Sequence, residues 1–408
     1  MSAQDVVSDL RELAKLTSTA DGAQRLAWGP VWRDARTWFN SKLAELNITP
    51  EVDAAGNSWA TLRGATPRTV IVGGHLDSVP NGGWLDGALG VMAGLEALRR
   101  YHGKQPPLTI KVVDWADEEG ARFGRSLLGS SASAGSLQVS EVEHLADKTG
   151  VTLIDALREN GVELSRMHES QKFLKAIDAK AYLELHIEQG PVLESINKPT
   201  GVVLGTFGVE RHLLRFVGQA AHSGSTPIPM RRDAFLAAAE SALAFRDIAN
   251  KYTTAARVVC TVGTVKVEPG IVTAVPGACE ISLDQRALDA DVLAQMLADA
   301  RAASWTIAAK NNVSVEWKRI WKIEPRPFDR NLIALCDQAV REVTGDAPHL
   351  PSGPLHDAAE MVPHMPVVMM FAYSSNGLSH CKEEDTPEPH LLKTIDAFLK
   401  LVEKVVEA

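Results

Sequence analysis

Ile71-Val72-Gly73-Gly74-His75-Leu76-Asp77-Ser78-Val79-Pro80-Asn81-Gly82-Gly83-Trp84-Leu85-Asp86-Gly87 carries an apolar run into paired glycines and then, within a dozen residues, presents one imidazole and two carboxylates. Those are ligand types that divalent cations take, and glycines at a strand end let backbone approach them closely. Open α/β sheets bind ligands outside the carboxyl ends of their strands. The stretch therefore reads as a buried strand that delivers a metal centre.

Working outward, residues 108–115, 182–187 and 367–373 join 69–72 as short apolar runs with the character of buried strands, and 91–100 is helical in pattern. An α/β sheet with helices on both faces is expected. Each run ends in polar residues: Asp117-Glu118-Glu119 after the second, His186 through Gln189 at the end of the third, Ser379-His380 after the fourth. His75, Asp86, Glu119, His186 and His380 would then supply oxygen and nitrogen ligands from four strand ends. One carboxylate bridging two ions about 3.5 Å apart makes a two-metal hydrolytic site. Asp86, in a loop with Gly82, Gly83, Gly87 and Gly90, is the best bridge.

Glu118 and Glu119 are adjacent at a strand end and point in different directions, so one can bind metal while the other takes a proton from bound water. Glu119 is assigned to metal and Glu118 to general base; a solvated acidic turn over 117–120 is the alternative. Asp77 would accept the second ring proton of His75 and so fix its tautomer, or simply cap a turn.

Before this region, Ala35, Phe39, Leu43 and Leu46 recur at helical spacing after Pro30, and Trp28, Trp32 and Trp38 add bulk for a core edge. Between 207 and 322 the order becomes strand, helix, two strands, helix, strand: a ferredoxin-like βαββαβ unit. Because His380 lies beyond it, this unit is an insert, and residues 1–206 plus 323–408 form the catalytic domain. Residues 130–175 are polar and irregular and suggest no element.

A chain of 408 residues is too long for one compact core. Net charge of −9 argues against general affinity for nucleic acid or anionic membrane, but leaves room for a small anionic substrate. No apolar run suffices to span a bilayer and no leader pattern opens the chain, so a cytoplasmic protein is expected. Cys260, Cys279, Cys336 and Cys381 lack C-x-x-C spacing, so metal ligands would be His, Asp and Glu.

The motifs His75-Leu76-Asp77-Ser78, Asp86-Gly87, Asp117-Glu118-Glu119-Gly120-Ala121-Arg122-Phe123, Leu185-His186-Ile187-Glu188-Gln189-Gly190-Pro191, Gly218-Gln219-Ala220-Ala221-His222-Ser223-Gly224 and Ser379-His380 form a series. It resembles the dinuclear-metal amidohydrolases that cleave N-carbamoyl amino acids, β-ureido acids and allantoate, a branch of the M20-type metallo-aminoacylase and carboxypeptidase superfamily. The peptidase branches usually carry a carboxylate where this chain has His186.

The resemblance implies a metallopeptidase-like catalytic domain, an inserted lid and dimerisation domain, and two divalent ions (Zn²⁺, or Mn²⁺, Co²⁺ or Ni²⁺). It implies hydrolysis of an N-carbamoyl amino acid to amino acid, ammonia and CO2, with allantoate or ureidoglycolate amidohydrolase and N-acyl amino acid hydrolase as alternatives. The five metal positions and the base Glu118 match. Gln189 matches a contact to the ureido group, Arg286 the fork on the substrate carboxylate, and His222 a histidine that reaches the site of the other subunit of a homodimer and steadies the oxyanion. Three departures touch the substrate end. Thr273 stands where Asn is usual, Pro354-Leu355 follows Gly353 in a pocket-lining loop expected to contact substrate, and the segment before His380 reads Tyr373-Ser374-Ser375-Asn376-Gly377-Leu378.

Overall fold

Along the strand Thr66–His75, Val70 and Val72 enter one apolar cluster and Ile71 the other, the two-residue period of a strand covered on both faces. In the computed structural model, which describes residues 2–253 and 257–408, Leu108–Trp115 and Ala179–Ile187 flank this strand in parallel, and Val367–Ala372 runs parallel beyond Ala179–Ile187. The four apolar runs thus lie side by side and end at the same edge. Antiparallel Ser58–Leu62 and Glu51–Val52 extend one side of the sheet, and Thr200–Thr206 the other.

One face is covered by the helices Ala3–Thr17, Ala88–Tyr101, Arg330–Thr344 and Glu388–Glu407, whose buried residues share a cluster with Val70, Val112, Leu183 and Val368. Ala88–Tyr101 buries nearly its whole circumference, as its unbroken run of Ala, Gly, Val, Leu and Met requires. The opposite face packs Ala358 and Met361 of the helix Asp357–Met361, with Leu174 and Leu193, on Ile71, Val113, Tyr182 and Met369.

Pro30 opens the helix Pro30–Ala44 at a position where its missing N–H costs nothing, and Trp32, Ala35, Phe39 and Leu43 form the buried stripe. Residues 130–175, silent in sequence, fold as short helices. Leu128–Ala134, Leu153–Glu159 and the Leu164–Glu169 turn bring Leu128, Leu153, Leu157 and Met167 onto Trp28 and Trp32. Their core partners lie about a hundred residues upstream in the chain, which local periodicity cannot reveal.

The chain divides into two compact units, Met1–Leu204 with Phe328–Ala408, and Gly205–Pro327. In the second, an antiparallel sheet runs Val258–Thr261, Ala278–Ala287, Gly208–Val217, Ser314–Ile323, with Val265–Glu268 also on Ala278–Ala287. The helices Ala234–Tyr252 and Ala290–Lys310 cover it. Ala234–Tyr252 buries Ala237, Ala238, Ser241 and Phe245 and leaves Leu236 and Leu243 exposed, so its inward stripe is the alanine one. Among the described residues, no helix is long and apolar enough to cross a membrane.

Candidate metal centre

His75 is the last residue of its strand and is buried. Its Nδ1 faces the Asp77 carbonyl oxygen at 3.1 Å, which leaves Nε2 for a ligand. His186, buried on Ala179–Ile187, does the same through the Ile187 carbonyl oxygen at 2.9 Å from Nδ1. The Asp77 carboxylate lies farther from the His75 ring, at 3.6 Å, and is otherwise engaged: it accepts the backbone N–H of Glu118 at 3.2 Å and of Glu119 at 3.1 Å. Its role is therefore to hold the acidic turn, and the ring proton of His75 goes to backbone.

Asp86 lies between two groups of donors. Its Oδ1 is 3.0 Å from His186 Nε2 and 3.7 Å from His75 Nε2. Its Oδ2 is 3.4 Å from His380 Nε2, which is in turn 3.3 Å from Glu119 Oε2. Among the described residues, His75, Asp86 and His186 form one set whose ligand atoms lie within 4.8 Å of one another, and Asp86, Glu119 and His380 form another. Donors bound at 2.0–2.2 Å around one ion in a tetrahedral arrangement stand about 3.3–3.6 Å apart. The observed spacings of 3.0–3.7 Å fit divalent-metal ligation.

Two further observations support that fit. His75 Nε2 and Glu119 Oε1 are buried with no hydrogen-bond partner among the described residues, a costly state unless a cation satisfies them. Gly87, at φ +64°, packs so closely under the imidazole that a Cβ there would lie 2.3 Å from His75 Nδ1, so the cradle is closed by absence of a side chain.

The electrostatics agree. In the protein alone, burial opposes a charge on His75, but Glu118, Asp77 and Asp86 outweigh it and hold the imidazole well above its ordinary range. The hydrogen bond to Asp86 raises His380 to about 9. Asp86 is held well below the usual carboxylate range against its burial, by the charge and hydrogen bond of His186 and by His380 and His75. Burial lifts Glu119 to about 7 and Glu118 well above its ordinary range. A cluster of anions that favours the charged form of His75, His186 and His380 is one that a cation of higher charge can occupy in place of their protons. Glu118 Oε2 stands 3.7 Å from His75 Nε2, beside the first set.

Several supports were not legible beforehand. Glu384 accepts the backbone N–H groups of Leu85 at 3.1 Å and Asp86 at 3.0 Å, and the Ser379 hydroxyl at 3.0 Å, and so aims the shared carboxylate. Trp28 Nε1 donates to buried Asp117 at 2.8 Å, anchoring the turn that carries Glu118. The His356 ring packs against His186 at a tilt of 57°, with the ring centroids 4.3 Å apart. Glu384 belongs to Glu383-Glu384-Asp385, which reads as a surface acidic run; its place four residues after His380 was the available signal.

Gln189 donates from Nε2 to Asp86 Oδ2 at 2.9 Å and lies 3.2 Å from both Ser379 Oγ and His380 Nε2. Its Oε1 is buried without a partner among the described residues. Gly353 sits in the loop after His349–Ser352, next to exposed Pro354. His222, Thr273 and Arg286 belong to the second unit. His222 pairs with Ala274 and accepts the N–H groups of Gly224 and Ser225 on Nδ1, at 3.1 and 3.2 Å, so its proton resides on Nε2. Thr273 adjoins that ladder and accepts the Ser223 N–H on its carbonyl at 2.9 Å. Arg286, on Ala278–Ala287, donates to Asp284 at 2.8 Å.

The sequence profile of peptidase family M20/M25/M40 matches residues 71–404. The chain is 35% identical over 380 residues to an N-carbamoyl-L-amino acid amidohydrolase of Geobacillus stearothermophilus, covering 92% of this chain and 91% of that one. It is 31% identical over 372 residues to an allantoate amidohydrolase of Escherichia coli (strain K12), covering 90% and 89%. The structure of a hydantoinase/carbamoylase family amidase from Burkholderia multivorans superposes with a TM-score of 0.87 at 31% identity, over 100% of this chain and 98% of that one.

Proposed function

The chain belongs to peptidase family M20/M25/M40 and is an amidohydrolase of amide or ureido C–N bonds; from that premise we propose that its substrate is an N-carbamoyl amino acid, cleaved at a two-ion centre built on Asp86. The single observation that carries this reading is the division of Asp86, with Oδ1 toward His75 and His186 and Oδ2 toward His380. His75, Asp86, Glu119, His186 and His380 hold the ions, and oxygen and nitrogen donors of this kind suit Zn²⁺, Mn²⁺, Co²⁺ or Ni²⁺. When bound, such ions polarise a carbonyl and acidify water.

Glu118 takes a proton from the attacking water and returns it to the leaving nitrogen. Its burial suits the second half of that task, because a carboxyl with a raised pKa holds the proton long enough to deliver it. Gln189 offers its free Oε1 to a substrate N–H. His222 donates from Nε2 to the developing oxyanion, acting in the partner subunit's site within a homodimer. Arg286 forks onto the substrate carboxylate, supported by Thr273 and the backbone at Gly353. Water adds to the carbonyl carbon, the C–N bond breaks, the amino acid leaves with its nitrogen protonated, and the carbamic half falls to ammonia and CO2.

A panel of N-carbamoyl amino acids, allantoate, ureidoglycolate and N-acetyl amino acids, offered to the metal-reconstituted protein, tests the reading. Ammonia release from the carbamoyl set supports it. Turnover confined to allantoate, ureidoglycolate or the N-acetyl set moves the substrate to one of those alternatives, and absence of metal-dependent hydrolysis across the panel overturns it.

A further inference from the structure

One fully buried cation lies outside the set just described. Arg25 has no exposed surface, and among the described residues no carboxylate pairs with its guanidinium. An unpaired charge in a protein interior is expensive unless its surroundings are of opposite sign or its hydrogen bonds serve a purpose. Both conditions hold here. Burial pushes the guanidinium below its ordinary range, and the charges that push back are Glu384, Asp77, Asp86 and Glu119, the carboxylates of the metal centre and its supports.

The hydrogen bonds show where Arg25 acts. Nε donates to the Leu76 carbonyl at 2.6 Å, and Leu76 is the residue between His75 and Asp77. On the other side of the same residue, the Leu76 N–H donates to Asp114 at 2.8 Å, and Asp114 is held by Arg36 at 2.6 Å. The backbone of Leu76 is thus gripped at both ends by buried charged groups, and the ligand His75 and the turn-holder Asp77 are its immediate neighbours.

The chain around Arg25 reinforces that grip. The Arg25 N–H donates to Ser78 Oγ at 3.1 Å and the Ser78 N–H to the Arg25 carbonyl at 3.0 Å. The Ala23 N–H reaches the Gly82 carbonyl at 2.9 Å and Gln24 Nε2 reaches Asn81 at 2.8 Å. A Cβ on Gly22 would lie 2.6 Å from the Gly82 carbonyl oxygen, so the two segments meet with no room between them. Residues 22–25 form a strap along 76–82, the first half of the loop that carries Asp86.

We infer that Arg25 is a positioning residue of the metal centre, fixing the His75-Leu76-Asp77 turn through the Leu76 carbonyl while its charge is balanced by the surrounding carboxylates. The inference rests on the two-ion reading above. It assigns to the N-terminal segment a role in metal affinity that none of the five ligands performs.

The test is metal affinity, measured by competition with a chromophoric chelator on wild type, Arg25→Met, Arg25→Lys and Ser78→Ala. Arg25→Met is expected to weaken binding about 10–100-fold, as loss of a group that orients a ligand does. Arg25→Lys keeps the charge and one donor and should recover part of that loss. Ser78→Ala spares the Leu76 bond and should fall between wild type and Arg25→Met. KM of the metal-saturated enzyme should stay within about threefold of wild type, since Arg25 contacts no substrate group. If Arg25→Met lowers the melting temperature of the chelator-treated protein yet binds metal as wild type does, Arg25 is only a core residue and the inference fails. Should Arg25→Met not fold, Arg25→Lys decides: wild-type affinity overturns the inference and weakened affinity supports it. A wild type that takes up no metal overturns the two-ion reading itself, a result distinct from either.

Discussion

Replacing Gly87 by Ala makes a sharp test, because one methyl group meets two obstacles. The backbone at φ +64° is left-handed, which costs an L residue about 1–2 kcal/mol. The added Cβ would lie 2.3 Å from His75 Cε1 and Nδ1, more than an ångström inside ordinary contact, so the ring must move by about that much. Such a shift breaks the Nδ1 bond to the Asp77 carbonyl, worth about 0.5–1.5 kcal/mol. Summed, the variant should lose about 1.5–3.5 kcal/mol in urea denaturation. It should also lose about 10–100-fold in metal affinity by chelator competition, because Nε2 no longer aims beside Asp86. A Gly87→Ala protein with wild-type metal affinity would refute the assignment of His75 as a ligand held from beneath by this loop.

Glu384→Ala strands the N–H groups of Leu85 and Asp86 and leaves the Ser379 hydroxyl Asp86 Oδ2, at 3.0 Å, as its acceptor; metal affinity should drop about 10–100-fold, with Glu384→Gln closer to wild type, in the same competition assay. Arg36→Met leaves buried Asp114 without its partner at 2.6 Å and should cost about 3–5 kcal/mol in urea denaturation, whereas a loss below 1 kcal/mol would show that Asp114 finds another donor. Metal uptake should release protons: the surrounding carboxylates raise His75, His186 and His380 above the ordinary imidazole range, the last to about 9, so apparent affinity should climb as pH rises through that value. Titration in weak buffer, with acidification that shrinks as pH rises, checks the sign.

The four strand ends were legible because their residues do two jobs at once. Val70, Ile71 and Val72 announce a strand buried on both faces, and the imidazoles and carboxylates that follow this and three other strand ends agree on one ligand chemistry. Other parts escaped for identifiable reasons. The Leu128–Ala134 and Leu153–Glu159 helices are too short to show a period, and their core partners Trp28 and Trp32 are distant in sequence. In Ala234–Tyr252 the alanines face the sheet while Leu236 and Leu243 face outward, the reverse of what side-chain size alone suggests. Glu384 was hidden in an acidic run, and the bond expected from the Asp77 carboxylate is made by its backbone. Arg25 carried no motif; only its burial and its bond to Leu76 mark it.

The most direct test of a two-ion amidohydrolase built on Asp86 is ammonia release from an N-carbamoyl amino acid by wild type and Glu118→Gln, compared at equal, measured metal content. The expected result is metal-dependent turnover in wild type and a loss of about 10²–10⁴-fold in Glu118→Gln, with both proteins holding two ions per chain. Equal turnover in the two proteins, or a wild type that turns over without metal, would contradict it.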